Sequence, residues 1–175
     1  LEKSIRKDTI LVSIIHGNNE IGTIEPIEEI GKICSKHGVY FHTDACQSFT
    51  KVPINLKKQN LDLLTINAHK IYGPKGIGAL IIKDGIKIDP WLHGGGQELG
   101  LRSGTENIAS IVGFAKAVEI AKEKDVEHMT KLRDNLIVSV LEIPDSWLNG
   151  PRKQRLCNNT NFSFKFVEGE SLILH

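Results

Sequence analysis

Lys70 stands in the stretch Asn67-Ala-His-Lys-Ile-Tyr-Gly-Pro-Lys-Gly76, between two apolar runs. An ammonium placed where two core strands meet is desolvated, which frees its amine to attack a carbonyl carbon. A strand-end lysine that carries its charge out to water fits the same position. The polar residues to set beside it are Asp44, Gln47, Asn67 and His69, with Asn19 earlier and Thr105 later. Jointly they describe a pocket with one amine, one carboxylate, amide side chains and donors for an anion.

The elements that must position these residues follow from hydrophobic pattern. Thr9 to His16 is almost continuously apolar and β-branched, which predicts a strand buried on both faces. A turn follows at Gly17 to Gly22. Pro26 opens a helix whose Ile27, Ile30, Ile33 and Cys34 share one face, and Gly38 closes it. Val39 to Asp44 is the next strand, so a parallel crossover is expected. Gln47 to Asn60 is a connection. Leu61 to Ile66 and Gly78 to Lys83 are two more strands, and the short link between them predicts an antiparallel pair in a mixed sheet. His93 to Asn107 is a loop rich in glycine and polar residues. Two helices are expected at about Ile108–Lys124, with Ile111, Ala115, Val118 and Ile120 inward, and about Val126–Leu141, with Leu132, Leu136 and Val140 inward. Thr160 to Val167 alternates Phe162, Phe164 and Phe166, the pattern of a strand with one buried face. A final helix starts near Glu168 and runs towards His175.

In open α/β sheets ligands bind beyond the C-terminal ends of the parallel strands. The first three strands end in Asn18-Asn19, in Asp44 and in Asn67. Each residue alone has a plain alternative. Asp44 suits a cap, His69 a satisfied core histidine, Asn18 and Asn19 a turn, and Gly94 to Gly96 a loop tip. Read together, they meet the needs of pyridoxal phosphate: a lysine for its aldehyde, a carboxylate for its ring nitrogen, an amide for its ring oxygen, and donors for its phosphate. Lys70 follows Asp44 by 26 residues, enough for a connection and one further strand.

Six motifs in order then carry a resemblance. They are His16-Gly-Asn-Asn-Glu-Ile-Gly22, Asp44-Ala-Cys-Gln47, Ala68-His-Lys-Ile-Tyr-Gly-Pro-Lys-Gly76, His93-Gly-Gly-Gly-Gln-Glu98, Arg102-Ser-Gly-Thr-Glu-Asn107 and Val167-Glu-Gly-Glu-Ser171. The chain resembles the cysteine desulfurases of the NifS/IscS group, pyridoxal-phosphate enzymes of the class V aminotransferase fold. The resemblance implies the later part of a fold-type I large domain over residues 1–122, a mixed and mostly parallel sheet with flanking helices. It implies part of a smaller α+β domain over residues 123–175. Lys70 is then the Schiff-base lysine and catalytic residue. Asp44 faces the ring nitrogen, Gln47 the ring oxygen, and Asn19 the cofactor and substrate carboxylate. Asn67, where the family commonly has Ser, binds the phosphate with His69. Thr105 reaches the phosphate of a neighbouring subunit, which implies a homodimer. The implied reaction takes sulfur from L-cysteine to an enzyme cysteine, leaving alanine, and passes it to iron–sulfur scaffold proteins or tRNA thiolation acceptors. The implied nucleophilic cysteine lies on a loop beyond Ser171, past His175, and a cofactor-stacking histidine lies upstream of Leu1. Selenocysteine lyase or another class V aminotransferase activity, and a non-catalytic fragment, are the competing readings.

Composition is consistent with a globular protein: 40% hydrophobic and 25% charged, with 22 Lys and Arg against 21 Asp and Glu. The balance offers no electrostatic case for nucleic acid, and no apolar run approaches the ~20 residues that span a bilayer. Leu1 stands where an initiator Met would, which predicts a piece or processed product of a longer chain. Cys34, Cys46 and Cys157 follow no metal or disulfide spacing and suit a reducing, cytoplasmic setting, with an organelle an alternative. Cys34 belongs to a helix face, and Asp44 disfavours a thiolate at Cys46. The basic neighbours Arg152, Lys153 and Arg155 leave Cys157 open to exposure.

Overall fold

The computed structural model describes residues 1–174. Its centre is a four-stranded sheet in the order β1 (Leu11–Ile15), β2 (Tyr40–Asp44), β3 (Leu63–Asn67) and β4 (Gly78–Ile82). The first three strands are parallel and β4 is antiparallel to β3. This is the expected mixed, mostly parallel sheet. The short link after β3 leaves no room for a crossover, so β4 returns beside it.

Helix α1 (Ile27–His37) joins β1 to β2 and ends on Gly38, whose φ of 65° lets its N–H reach the Ser35 carbonyl. Ile27, Ile30 and Cys34 pack on Val12, Val39, Phe41 and Leu61. A second cluster joins Leu64, Ile66, Ala68 and Ile71 to Phe114 and Ala117 of α2 (Ile108–Ile120). The helices α1 and α2 therefore cover the sheet face that carries Val12, Phe41, Leu64 and Ile66. Register places Leu11, Tyr40, Asp44, Thr65, Asn67 and Leu80 on the opposite face. That face is largely open, with Leu11, Tyr40 and Leu80 exposed. The expectation that β1 is buried on both faces is thus corrected. Only its Val12 side is packed.

Three further expectations change. In α2 the inward residues are Phe114 and Ala117, while Ile111, Ala115, Val118 and Ile120 face out. In α3 (Glu123–Leu141) the packed stripe is Val126, Met129, Thr130, Arg133, Ile137 and Val140, with Leu132 and Leu136 exposed. Both helices are apolar on more than one face, so periodicity leaves the choice of face undecided. Finally, β6 is only Phe162–Phe164, paired antiparallel with β5 (Ser146–Leu148). Phe166 leaves the strand at φ 65° and is 85% exposed. Helix α4 spans Gly169–Leu174, and the expected continuation to His175 lies outside the described residues.

Candidate active site

The C-terminal ends of β1, β2 and β3 lie side by side, with Ile15 opposite Asp44 and Asp44 opposite Thr65. Asp44, the last residue of β2, is half-buried. Its Oδ1 accepts the Cys46 N–H at 2.8 Å, and among the described residues no Lys, Arg or His lies within 4 Å of its carboxylate. The carboxylate is therefore without a cation of its own. Asn67 closes β3 and its Oδ1 accepts the Lys70 N–H at 3.3 Å, which leaves the amide nitrogen as a donor. A shallow, wide-open cavity of about 440 Å³ is lined by Cys46, Thr65, Asn67, His69, Gly76 and Gly78.

Lys70 does not sit at a buried strand junction. β3 stops at Asn67, and the 3₁₀ turn His69–Ile71 carries His69 and Lys70 outward, where both are exposed. Lys70 lines a second, smaller cavity of about 140 Å³ with Thr50, Lys51, Tyr72, Lys122 and Met129. Gln47 is half-buried in the turn after β2, and Asn19 is exposed in the turn after β1. Thr105 is exposed in the loop before α2 and is not among the residues lining the first cavity. The structure thus gathers Asn67 and His69 on one cavity, with Asp44 on the same sheet face as Asn67.

Sequence reading missed a polar ladder on that face. His42 bonds Ser13 Oγ at 2.7 Å through Nδ1 and Thr65 Oγ1 at 2.8 Å through Nε2. Burial holds the His42 imidazole below its ordinary pKa, against a smaller opposing pull from Asp44. The available signal was period two: His42 precedes Asp44, and Thr65 precedes Asn67, by two residues. Lys51 was missed as well. Its Nζ donates to the Gln47 carbonyl at 3.0 Å and the Lys70 carbonyl at 3.1 Å.

The cysteines are all free thiols. Burial, then the hydrogen bond and charge of Asp44, push the Cys46 thiol up to about 11. Cys34 and Cys157 are buried, and burial raises both. The expected exposure of Cys157 is corrected, because Arg155 beside it turns inward to bond main-chain carbonyls.

A sheet whose parallel strands end in a carboxylate and an amide, followed by a lysine turn, defines a class. The aminotransferase class-V family matches residues 1–174, and the chain belongs to that family. It is 56% identical over 179 residues to the cysteine desulfurase IscS of Dictyoglomus turgidum, covering 100% of this chain and 45% of that protein. Among solved structures, a NifS-like protein superposes with a TM-score of 0.91 at 41% identity, over 98% of this chain and 48% of its own. A structure described as SspA in complex with cysteine gives 0.82 at 41% identity, over 94% and 46%. The chain spans about half the length of the relatives it matches. No described helix is long and apolar enough to cross a membrane.

Proposed function

We propose that this chain is the Schiff-base-lysine part of a pyridoxal-phosphate-dependent cysteine desulfurase. The observation that carries the reading is the uncompensated Asp44 carboxylate on the same sheet face as Asn67, beside a cavity that Asn67 and His69 line. The donor set fits the cofactor. Asp44 would hold the ring nitrogen protonated, Gln47 would meet the ring oxygen, and the Asn67 amide with the His69 ring would meet the phosphate. Bound there, the cofactor supplies an electron sink for charge formed at the substrate α-carbon. Lys70 follows His69 directly and would hold the cofactor through its amine, turned from the second cavity towards the first; once released, its Nζ would take the α-proton. Asn19 orients the substrate carboxylate. L-cysteine and an enzyme thiol then give alanine and an enzyme persulfide, with no external oxidant or reductant.

None of the three cysteines here suits the thiolate role. Cys46 is held as a thiol near neutral pH, and the other two are buried. The sulfur-accepting cysteine belongs elsewhere in the holoenzyme. The exposed Thr105 and its loop support a homodimer in which Thr105 serves the neighbouring copy's phosphate. The sulfur then passes to scaffold or thiolation acceptors. Three free thiols support a reducing, cytoplasmic setting. The division at residue 122 remains part of this reading, supported by the start of α3 at Glu123.

The experiment is Lys70→Ala in the holoenzyme. It is expected to abolish the visible absorption band of the bound cofactor and the release of sulfide and alanine from cysteine. A normal band in that variant would refute the assignment of Lys70. A normal band in the parent without sulfide release would refute the desulfurase reading.

A further inference from the structure

The turn that carries Asn19 is held from a segment 140 residues later. Asn159 Nδ2 donates to the Asn19 carbonyl at 3.1 Å and to the Glu20 carbonyl at 2.9 Å. Asn161 Nδ2 adds a bond to the Glu20 carbonyl at 3.2 Å. Just after the turn, the Leu156 N–H reaches the Gly22 carbonyl at 2.8 Å and the Ile24 N–H the Gln154 carbonyl at 3.0 Å. Gly22 has φ 72°, and a Cβ there would run into Asn159 Oδ1, so the approach tolerates no side chain. Within the turn, Asn18 Oδ1 accepts from the Glu20 and Ile21 N–H groups, each at 2.9 Å. That local bonding gives the turn its shape. Its base is fixed to the sheet by the His16 N–H on the Asp44 carbonyl at 2.8 Å, and the distant segment fixes its tip.

Asn159 is itself oriented. Arg155 is 3% exposed, and its Nη1 donates to Asn159 Oδ1 at 2.9 Å. Its Nη1 also reaches the Asn159 carbonyl at 3.4 Å, Nε donates to the Pro151 carbonyl and Nη2 to the Asn149 carbonyl. No carboxylate lies within 4 Å of it among the described residues. Arg133 Nη1, from α3, braces the same segment through the Arg155 carbonyl at 2.9 Å and the Leu156 carbonyl at 3.0 Å. A buried guanidinium satisfied by neutral oxygens alone tolerates little displacement of any of them.

We propose that Asn159 is a positioning residue. Arg155 aims its carboxamide, and the carboxamide sets the Asn19–Glu20 turn at the substrate side of the site. The C-terminal segment thereby governs how well the substrate carboxylate is held. This inference rests on the proposed role of Asn19.

Asn159→Asp separates positioning from mere support. The new carboxylate keeps the acceptor for Arg155 and gives the buried guanidinium a counter-charge. It loses both N–H donors and sets a negative oxygen against two carbonyl oxygens. In the cofactor-loaded protein the thermal midpoint is expected to hold or rise. Amide exchange across residues 18–24 is expected to quicken, and KM for cysteine to rise about tenfold with a smaller change in kcat. Asn159→Ala is expected to show the same exchange signature with a lowered midpoint. Unchanged exchange at residues 18–24 in both variants would overturn the proposal. So would a KM that moves only in step with the thermal midpoint. Faster exchange with an unchanged KM would sustain the latch while removing Asn19 from the substrate site.

Discussion

The ends of β1 to β3 and the loop from His93 to Asn107 both carry motif residues, but they are built differently. At the strand ends each polar side chain is tied to its own turn: Asn18 to Glu20 and Ile21, Asp44 to Cys46, Asn67 to Lys70. Lys51 then joins two of those turns. In the loop the bonds stay local: Ser103 Oγ to the Gly95 carbonyl at 2.7 Å, Gly104 N–H to Gln97 Oε1 at 3.1 Å, and Ser103 N–H to the carbonyl of Leu92, just before the loop, at 3.2 Å. Leu99 in the loop and Trp91 just before it face out, 97% and 93% exposed. The strand ends tie their polar groups to one another within one chain. The loop leaves its groups on the surface.

The widest gap between the two regions is expected in catalysis. Asp44→Ala should lower sulfide production by about 10²–10³, the range for removing one preorganised charge from a reacting centre. Thr105→Ala should leave the residues each chain gives to its own site in place and, by removing one donor lent by the neighbouring copy, cost only about tenfold through faster cofactor loss, as expected for one hydrogen bond. Equal losses in the two variants, measured as kcat/KM for cysteine, would erase the contrast.

Acid should also discriminate between the regions. His16 lies just after β1, is 2% exposed, and bonds Ser48 Oγ at 2.8 Å through Nδ1. Burial pushes its pKa down from 6.5 to about 4. The unfolded chain therefore binds this proton first as pH falls. The stability due to neutral His16 is full above about pH 6.5, is lost between there and about pH 4, and amounts to about 3 kcal/mol. Denaturant melts from pH 7.5 to 4.5 should show this fall, and His16→Gln should flatten it. An acid limb equally steep in His16→Gln would assign the loss to other groups.

How much of this was legible in the residues divides along the same line. Strand ends announced themselves, because an apolar run that stops at Asp44 or Asn67 marks both an element and a delivery point. Gly38 and Pro26 bracketed α1 for local reasons that tertiary structure did not override. The inward faces of α2 and α3 were not legible, since Ile111, Phe114, Val118, Leu132, Leu136 and Ile137 leave both helices apolar on several sides. The apolar neighbours of Lys70 left burial and a strand-end lysine reaching water both open, and one 3₁₀ turn brings it to the surface. Lys51, His42 and Arg155 were missed because their partners are distant strands or main-chain carbonyls. Residue type and spacing do not encode such contacts. Motif resemblance supplied the roles of Asn19, Gln47 and Thr105, which chemistry alone left open.

The brace at Lys51 is expected to matter less than the site it serves. Burial, with Lys70 adding to it, holds its ammonium below the ordinary lysine value. Lys51→Met keeps the stem and removes both donations, at a cost of about 1–2 kcal/mol in denaturant unfolding. The turn at Lys70 should then exchange amide protons faster, while residues 93–107 should not change. Exchange quickening equally in both regions would show that Lys51 supports the whole fold and does not brace the strand ends alone.

The smallest effect belongs to the loop. Leu99 sits at φ 57° and is almost fully exposed, so its side chain contributes little packing to this chain. Leu99→Ala should leave unfolding free energy within about 0.5 kcal/mol of the parent. Alanine at a left-handed position gains nothing in backbone freedom, so the null change isolates the side chain. If the loop works as a contact surface, the same substitution should instead weaken self-association of the holoenzyme, read by sedimentation across a dilution series. A loss of 2 kcal/mol or more in the unfolding of dilute protein would mean that Leu99 packs within its own chain. The loop would then belong with the strand ends as part of a self-contained site.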